Sequence, residues 1–172
     1  MPARRVLNPA SPLAALLRSP VRPGVIEWIG VRPARRVPPV SVLSAMLHVD
    51  TGLQGDHYGG RGRRNRQITL IQKEHLGAIA AFLGLTYVAP EQLRRNVVVS
   101  GINLLGLPDP RLQIGDAVIE VTGACHPCSR MEAAFGQGGY NAVRGHGGVT
   151  ARILENGTIT VGGWVAALPG DL

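Results

Sequence analysis

Cys125 and Cys128, the two cysteines of the 172-residue chain, frame the segment Cys125-His126-Pro127-Cys128. A cysteine thiolate is both a nucleophile and a soft metal ligand, so this spacing is suited to redox exchange, to sulfur transfer or to holding a soft metal. The surrounding stretch, Val121 to Arg152, also carries two of the five histidines and six glycines between Gly136 and Gly148. Glycine gives up side-chain contacts and is costly inside helices and strands, so a packed core element is not built this way. The stretch reads as a site.

The elements that must position it follow from the same residues. Ala117 to Val121 is β-branched and apolar enough for a buried strand, with Gly123 expected to end it. Ser129-Arg-Met-Glu132 has the spacing of a capping box, which would place Cys128 directly before a helix start. The positive end of that helix, with Arg130 and His126 near, is expected to favour a thiolate. Pro127 stiffens the loop by fixing its own φ and biasing His126 towards an extended conformation. Free cysteine is also among the most buried residue types. The charged, glycine-rich context favours chemistry for Cys128, whereas Cys125 stays open between packing and chemistry.

Composition narrows the class. A chain of this length is expected to form one domain with a core that needs no staples. Two cysteines make no disulfide framework, and no run of 18 apolar residues exists to span a bilayer. Arg4 and Arg5 followed by Leu13 to Leu17 faintly resemble a secretory signal, but Pro9, Pro12 and Arg18 break its apolar core. The expectation is a soluble cytoplasmic protein in a reducing compartment, with no membrane partner. The formal charge is +7, and every basic residue except Lys73 is arginine. Arginine is the better fork for phosphate and carboxylate, and the cluster Arg61-Gly-Arg-Arg-Asn-Arg66 makes that a local argument for a small anion. With aromatics at 4% there is no stacking platform, so a nucleic-acid partner is not expected.

In chain order, residues 1–22 read as a tail or a loosely docked arm, and residues 23–172 as the domain. Strands are expected over Gly24 to Arg32, Val40 to Val49, Gln67 to Gln72 and Asn96 to Ser100. Arg111 to Thr122 reads as a strand pair or a bent strand kinked at Gly115-Asp116. Gly148 to Glu155 leads into Asn156-Gly157 as a hairpin turn, and Thr158 to Leu168 closes the domain. Glu74 to Leu83 is the clearest helix, stopped by Gly84, and Pro90 opens a helical turn to Arg94. Gly55-Asp56-His57 sets an acid and an imidazole on a glycine-rich backbone, able to orient a ligand or each other, or to form an Asx-type turn. Many short strands with two or three helices predict a mainly β (α+β) domain, a closed β-barrel.

These residues resemble a known family. Gly123-Ala-Cys-His-Pro-Cys-Ser-Arg-Met131, Gly139-Tyr-Asn-Ala-Val-Arg-Gly-His-Gly-Gly148 and the strand Ile159 to Trp164 are similar to the MOSC domain, named for the C-terminal part of molybdenum cofactor sulfurases. Gly52-Leu-Gln-Gly-Asp56, Arg66 to Leu70 and Arg95-Asn96-Val97 through Gly101 add to the match, which runs from about Gly24 to Leu168. The chain looks like the small standalone bacterial type. The resemblance implies a MOSC-type closed β-barrel and a role around molybdenum and sulfur. It implies that Cys128 is a metal ligand or a carrier of sulfur, and that molybdenum cofactor (molybdopterin) is the cofactor.

On charge and glycine context, Arg61, Arg63, Arg64 and Arg66 would then meet the pterin phosphate, and Arg130, Asn141, Arg144 and His146 its polar edges. The last strand departs from the family in having Gly162-Gly163 where Gly-Asp is common. Nothing in the 172 residues is long enough for the pyridoxal phosphate domain of the larger sulfurases, so a persulfide would come from a partner or a small donor.

Three functions stand. The first is a molybdenum cofactor-binding protein with Cys128 as the metal ligand, reducing N-hydroxylated compounds. The second is a sulfur carrier using a Cys128 persulfide, and the third a Cys-x-x-Cys thiol–disulfide oxidoreductase. The expected partners are a small-molecule substrate or a sulfur donor protein, and a redox partner. A structural zinc lacks a second paired motif.

Overall fold

The computed structural model describes residues 8, 10–60 and 64–169. Arg61 and Arg63 of the basic cluster lie outside the described residues. The first element among the described residues is a short helix, α1 (Pro12–Leu17), with Ser11 as its cap and Pro12 at its first position. The Ala14 N–H donates to Ser11 Oγ at 3.2 Å, the usual way to satisfy a free helix-end donor. Only Ala14 of this helix is buried.

The strands are β1 (Gly24–Val31), β2 (Val40–Val42), β3 (Ser44–His48), β4 (Gly52–Leu53), β5 (Ile68–Gln72), β6 (Val97–Ser100), β7 (Arg111–Ile114), β8 (Ala117–Ala124), β9 (Val149–Glu155), β10 (Gly157–Thr160) and β11 (Trp164–Ala167). Seven of them close a barrel in the order β1, β6, β5, β9, β8, β7, β11 and back to β1. The closing seam pairs Gly24 with Val165 and Val25 with Trp164. Only β5 and β6 run parallel in it, and a parallel pair needs a crossover. That crossover carries α2 (Lys73–Leu83) and α3 (Pro90–Leu93). β2 extends β1 outside the ring, and β10, β3 and β4 form a small second sheet.

Alternation explains why β6 is apolar throughout. Val97 and Val99 fill the barrel interior, while Val98 joins Ile71, Leu76, Ile79, Met131 and Val143 in a second core between barrel and helices. Both faces are buried, so the strand reads as a continuous apolar run. α4 (Ser129–Phe135) and α5 (Gly139–Val143) complete that outer layer.

Four boundaries differ from the expectation. Val40 to Val49 is two strands, because the chain leaves the barrel edge at exposed Leu43 and enters the second sheet. Gly123 does not end β8, which runs to Ala124 through a register shift between Val121 and Gly123. Asn156-Gly157 is not a hairpin turn: β9 pairs with β8 and β5, whereas β10 pairs with β3. There Asn156 Oδ1 accepts the Val49 N–H at 2.8 Å, joining the two sheets. The closing strand is split at Gly162, where φ is +86°, a conformation glycine adopts without a Cβ penalty.

Candidate functional site

β8 delivers the chain to Cys125, which is buried, and three residues on Cys128 is exposed. The Cys125 N–H donates to the Gly148 carbonyl at 2.8 Å. Arg95, buried at the entry to β6, fastens this junction: its Nε donates to the Gly147 carbonyl at 2.6 Å, Nη1 to Leu93 at 2.8 Å and Nη2 to Cys125 at 3.3 Å. The glycines permit the close approach. A Cβ at Gly147 would overlap the Cys125 carbonyl oxygen, and one at Gly148, whose φ is +82°, would overlap the Leu70 carbonyl oxygen.

Cys128 is the N-cap residue of α4, in extended conformation. The expected capping box is not formed. Ser129 is already the first helical residue, and the Glu132 carboxylate accepts the N–H groups of Gly138 and Tyr140, both at 2.8 Å. Those two backbone bonds hold its pKa below the ordinary carboxylate value. Glu132 therefore ties α4 to α5 instead of closing the helix start.

Arg130 on α4 faces Arg94, which follows α3 in the left-handed conformation at φ 57°. With Pro38, Glu91 and Gln92 they line a groove of about 380 Å³. Burial depresses the basicity of Arg94, Arg130 and Arg32 depress it further, and Cys128 and Asp56 oppose them. The guanidiniums of Arg94 and Arg130 have no hydrogen-bond or ion-pair partner among the described residues. Two guanidiniums without an ion-pair partner, near each other and near a thiol, are chemically able to hold a small anion.

Arg32 is held differently. Its Nε and Nη2 grip Asp56 at 3.1 and 3.3 Å. Asp56 also accepts the backbone N–H groups of Arg32 and Tyr58, both at 3.1 Å, and Asn96 Nδ2 at 2.9 Å. His57 Nδ1 lies 3.2 Å from it. The Tyr58 bond is the Asx-type turn, so Asp56 both makes the turn and orients Arg32 and His57. Burial raises the pKa of Asp56, but the Arg32 hydrogen bonds and charge and the two backbone N–H groups outweigh it, and the net direction is down.

The expected basic and polar residues separate into groups. Arg130 joins Arg94 in the groove, and exposed Arg66 lies close enough to Arg95 to lower its basicity. Arg64 instead pairs with Asp50 at 3.3 Å, both exposed. Asn141 and Arg144 are exposed on α5 and at its C-cap. The His146 ring stacks on α2, 5.0 Å from His75 and 5.2 Å from Phe82 between centroids. Sequence reasoning missed Arg32, Arg94 and Arg95 as site residues. The available signal was the basic pair Arg94-Arg95 at the mouth of the Val97 to Ser100 strand. Among the described residues no three His, Cys, Asp or Glu side chains converge as a metal cluster, and no helix is long and apolar enough to cross a membrane.

The family model described as the MOSC domain matches residues 54–166. Among curated proteins none matches. Among solved structures, the YUAD protein of Bacillus subtilis superposes with a TM-score of 0.73 at 19% identity, over 84% of this chain and 94% of that one. YiiM of Geobacillus stearothermophilus gives 0.68 at 16%, over 84% and 75%. YiiM of Escherichia coli gives 0.65 at 17%, over 86% and 71%. At these identities the likeness is one of fold.

Proposed function

The chain belongs to the MOSC domain family, and from that premise we propose that it binds molybdenum cofactor, with the Cys128 sulfur as a metal ligand. The observation that carries this reading is the exposed Cys128 at the start of α4 beside the unneutralised guanidiniums of Arg94 and Arg130. The donor set fits the group: a thiolate suits a soft metal, and paired guanidiniums suit an anionic pterin phosphate. Arg130 would contact the cofactor, as its place in the motif suggests, with Arg94 beside it. Arg66 stands nearby through Arg95, and Asp56 acts as a positioning residue through Arg32.

Bound there, the cofactor would supply two-electron chemistry at the metal for reducing an N-hydroxylated small molecule. The chain's own residues would bind and orient it: Cys128 at the metal, Arg94 and Arg130 at the anionic end, and Arg95 by holding the Cys125 and Gly147 loops in register. A redox partner would deliver the electrons.

One observation favours a second reading. Cys128 is exposed, so a sulfur donor protein could reach it. Its thiolate would attack the terminal sulfur of the donor's persulfide, forming the Cys128 persulfide and releasing the donor as a thiolate. Cyanolysis and molybdenum analysis on one anaerobic preparation separate the two. The cofactor reading expects metal without cyanide-labile sulfur, and labile sulfur without metal would replace it by the carrier reading. Dithiol exchange needs both cysteines, so equal loss of function in Cys125→Ser and Cys128→Ser would restore that third option.

A further inference from the structure

Apart from the Arg94 and Arg130 groove, a second cavity of about 330 Å³ lies between the outer face of the barrel and α2. Its floor is the outer core, through buried Leu76, Ala80, Val88 and Val98. Trp28 forms one wall. A Cβ at Gly30 would overlap its indole ring, so that glycine is what lets the ring settle against the strand. Tyr87 stands at the edge, 68% exposed.

Gly77 supplies the argument that this space is kept open. It lies inside α2, where glycine is the poorest helix former after proline. A Cβ built there meets nothing within 4 Å, so no packing contact in the protein requires the missing side chain. The position borders the cavity, and any larger residue would project into or beside it.

Polar groups define the occupant. Lys73 at one end is compensated by Glu27, with Nζ 3.1 Å from the carboxylate, and the other Glu27 oxygen accepts Ser100 Oγ at 2.6 Å. The cavity thus presents no unmatched charge, unlike the Arg94 and Arg130 groove. The Trp28 indole N–H has no partner among the described residues, and Lys73 keeps further N–H groups. One flat aromatic wall with Tyr87 at the rim, a balanced charge and unspent donors select one chemistry. We propose that this cavity is a second ligand site, for a small neutral planar aromatic molecule bearing a hydrogen-bond acceptor such as an amide carbonyl.

Benzamide is the probe, titrated into full-length protein labelled with ¹⁵N. The expected result is a saturable shift of the Trp28 side-chain N–H and the Gly77 amide, with Trp164 on β11 unmoved. Cyclohexanecarboxamide, of similar size without the ring, is expected to bind about tenfold more weakly. Gly77→Leu fills the space and is expected to weaken benzamide about tenfold or more. Gly77→Ala, which favours the helix, keeps the test independent of folding and is expected to bind more weakly than wild type. Non-saturable shifts, equal binding of the two amides, or unchanged affinity in both Gly77 variants would overturn the assignment.

Discussion

Cys125 and Cys128 share a loop but not an environment: one is buried with its carbonyl held by Arg95, the other caps a helix in solvent. A role as ligand should therefore survive Cys125→Ser and be lost in Cys128→Ala, read as bound cofactor after anaerobic purification. Arg94 carries the anion in this account, and removing a charge-assisted contact costs about 1.5 to 3 kcal/mol. Arg94→Ala should thus weaken cofactor retention by roughly tenfold or more, measured as the apparent Kd for reloading. Asp56 gives a pH prediction. Its folded pKa is lowered, so its contribution to stability is present above the unfolded value near 3.9 and is lost as pH falls through the folded pKa. Asp56→Asn should cost about 3 kcal/mol at pH 7, since it breaks a buried charged pair. Urea unfolding should show the gap from wild type narrowing below pH 4, and a constant gap would refute the assignment.

Glycine decides the elements on either side of the site. Gly148 starts the turn into β9 with φ +82° and its Cα against the Leu70 carbonyl, so Gly148→Ala adds both strain and a clash. It should destabilise by about 3 kcal/mol or more in urea unfolding. Gly77→Ala should have the opposite sign, a gain of roughly 0.5 to 1 kcal/mol, because nothing near it objects to a methyl group. Element types were legible where one physical signal dominated. The α2 face at Leu76, Ile79 and Ala80 and the Gly84 stop are as the spacing predicts. The misread boundaries share a cause. Leu43, Gly123 and Asn156 are places where the chain changes sheet or register, and those depend on strands far away in sequence. The Ser129 to Glu132 motif failed likewise: Glu132 found better donors at Gly138 and Tyr140.

At the scale of the molecule, the closed barrel was legible because many short strands leave few other ways to satisfy their edges. Its strand order was not, since β1 meets both β6 and β11 through pairings distant in sequence, the second spanning most of the chain. The same topology explains the site. Barrel closure brings Arg32 from the end of β1, Arg94 and Arg95 from the entry to β6, and Cys128 from beyond β8 to one end of the molecule, while Arg64 and His146 are turned elsewhere. Basic residues adjacent in sequence were thus a poorer guide than basic residues at neighbouring strand ends. The central claim is that this end of the barrel holds molybdenum through Cys128. Its most direct test is molybdenum per chain in protein purified anaerobically from a host that makes the cofactor, beside Cys128→Ala prepared identically. The account predicts stoichiometric metal in the wild type and none in the variant. Metal-free wild type, or equal metal in both, would contradict it.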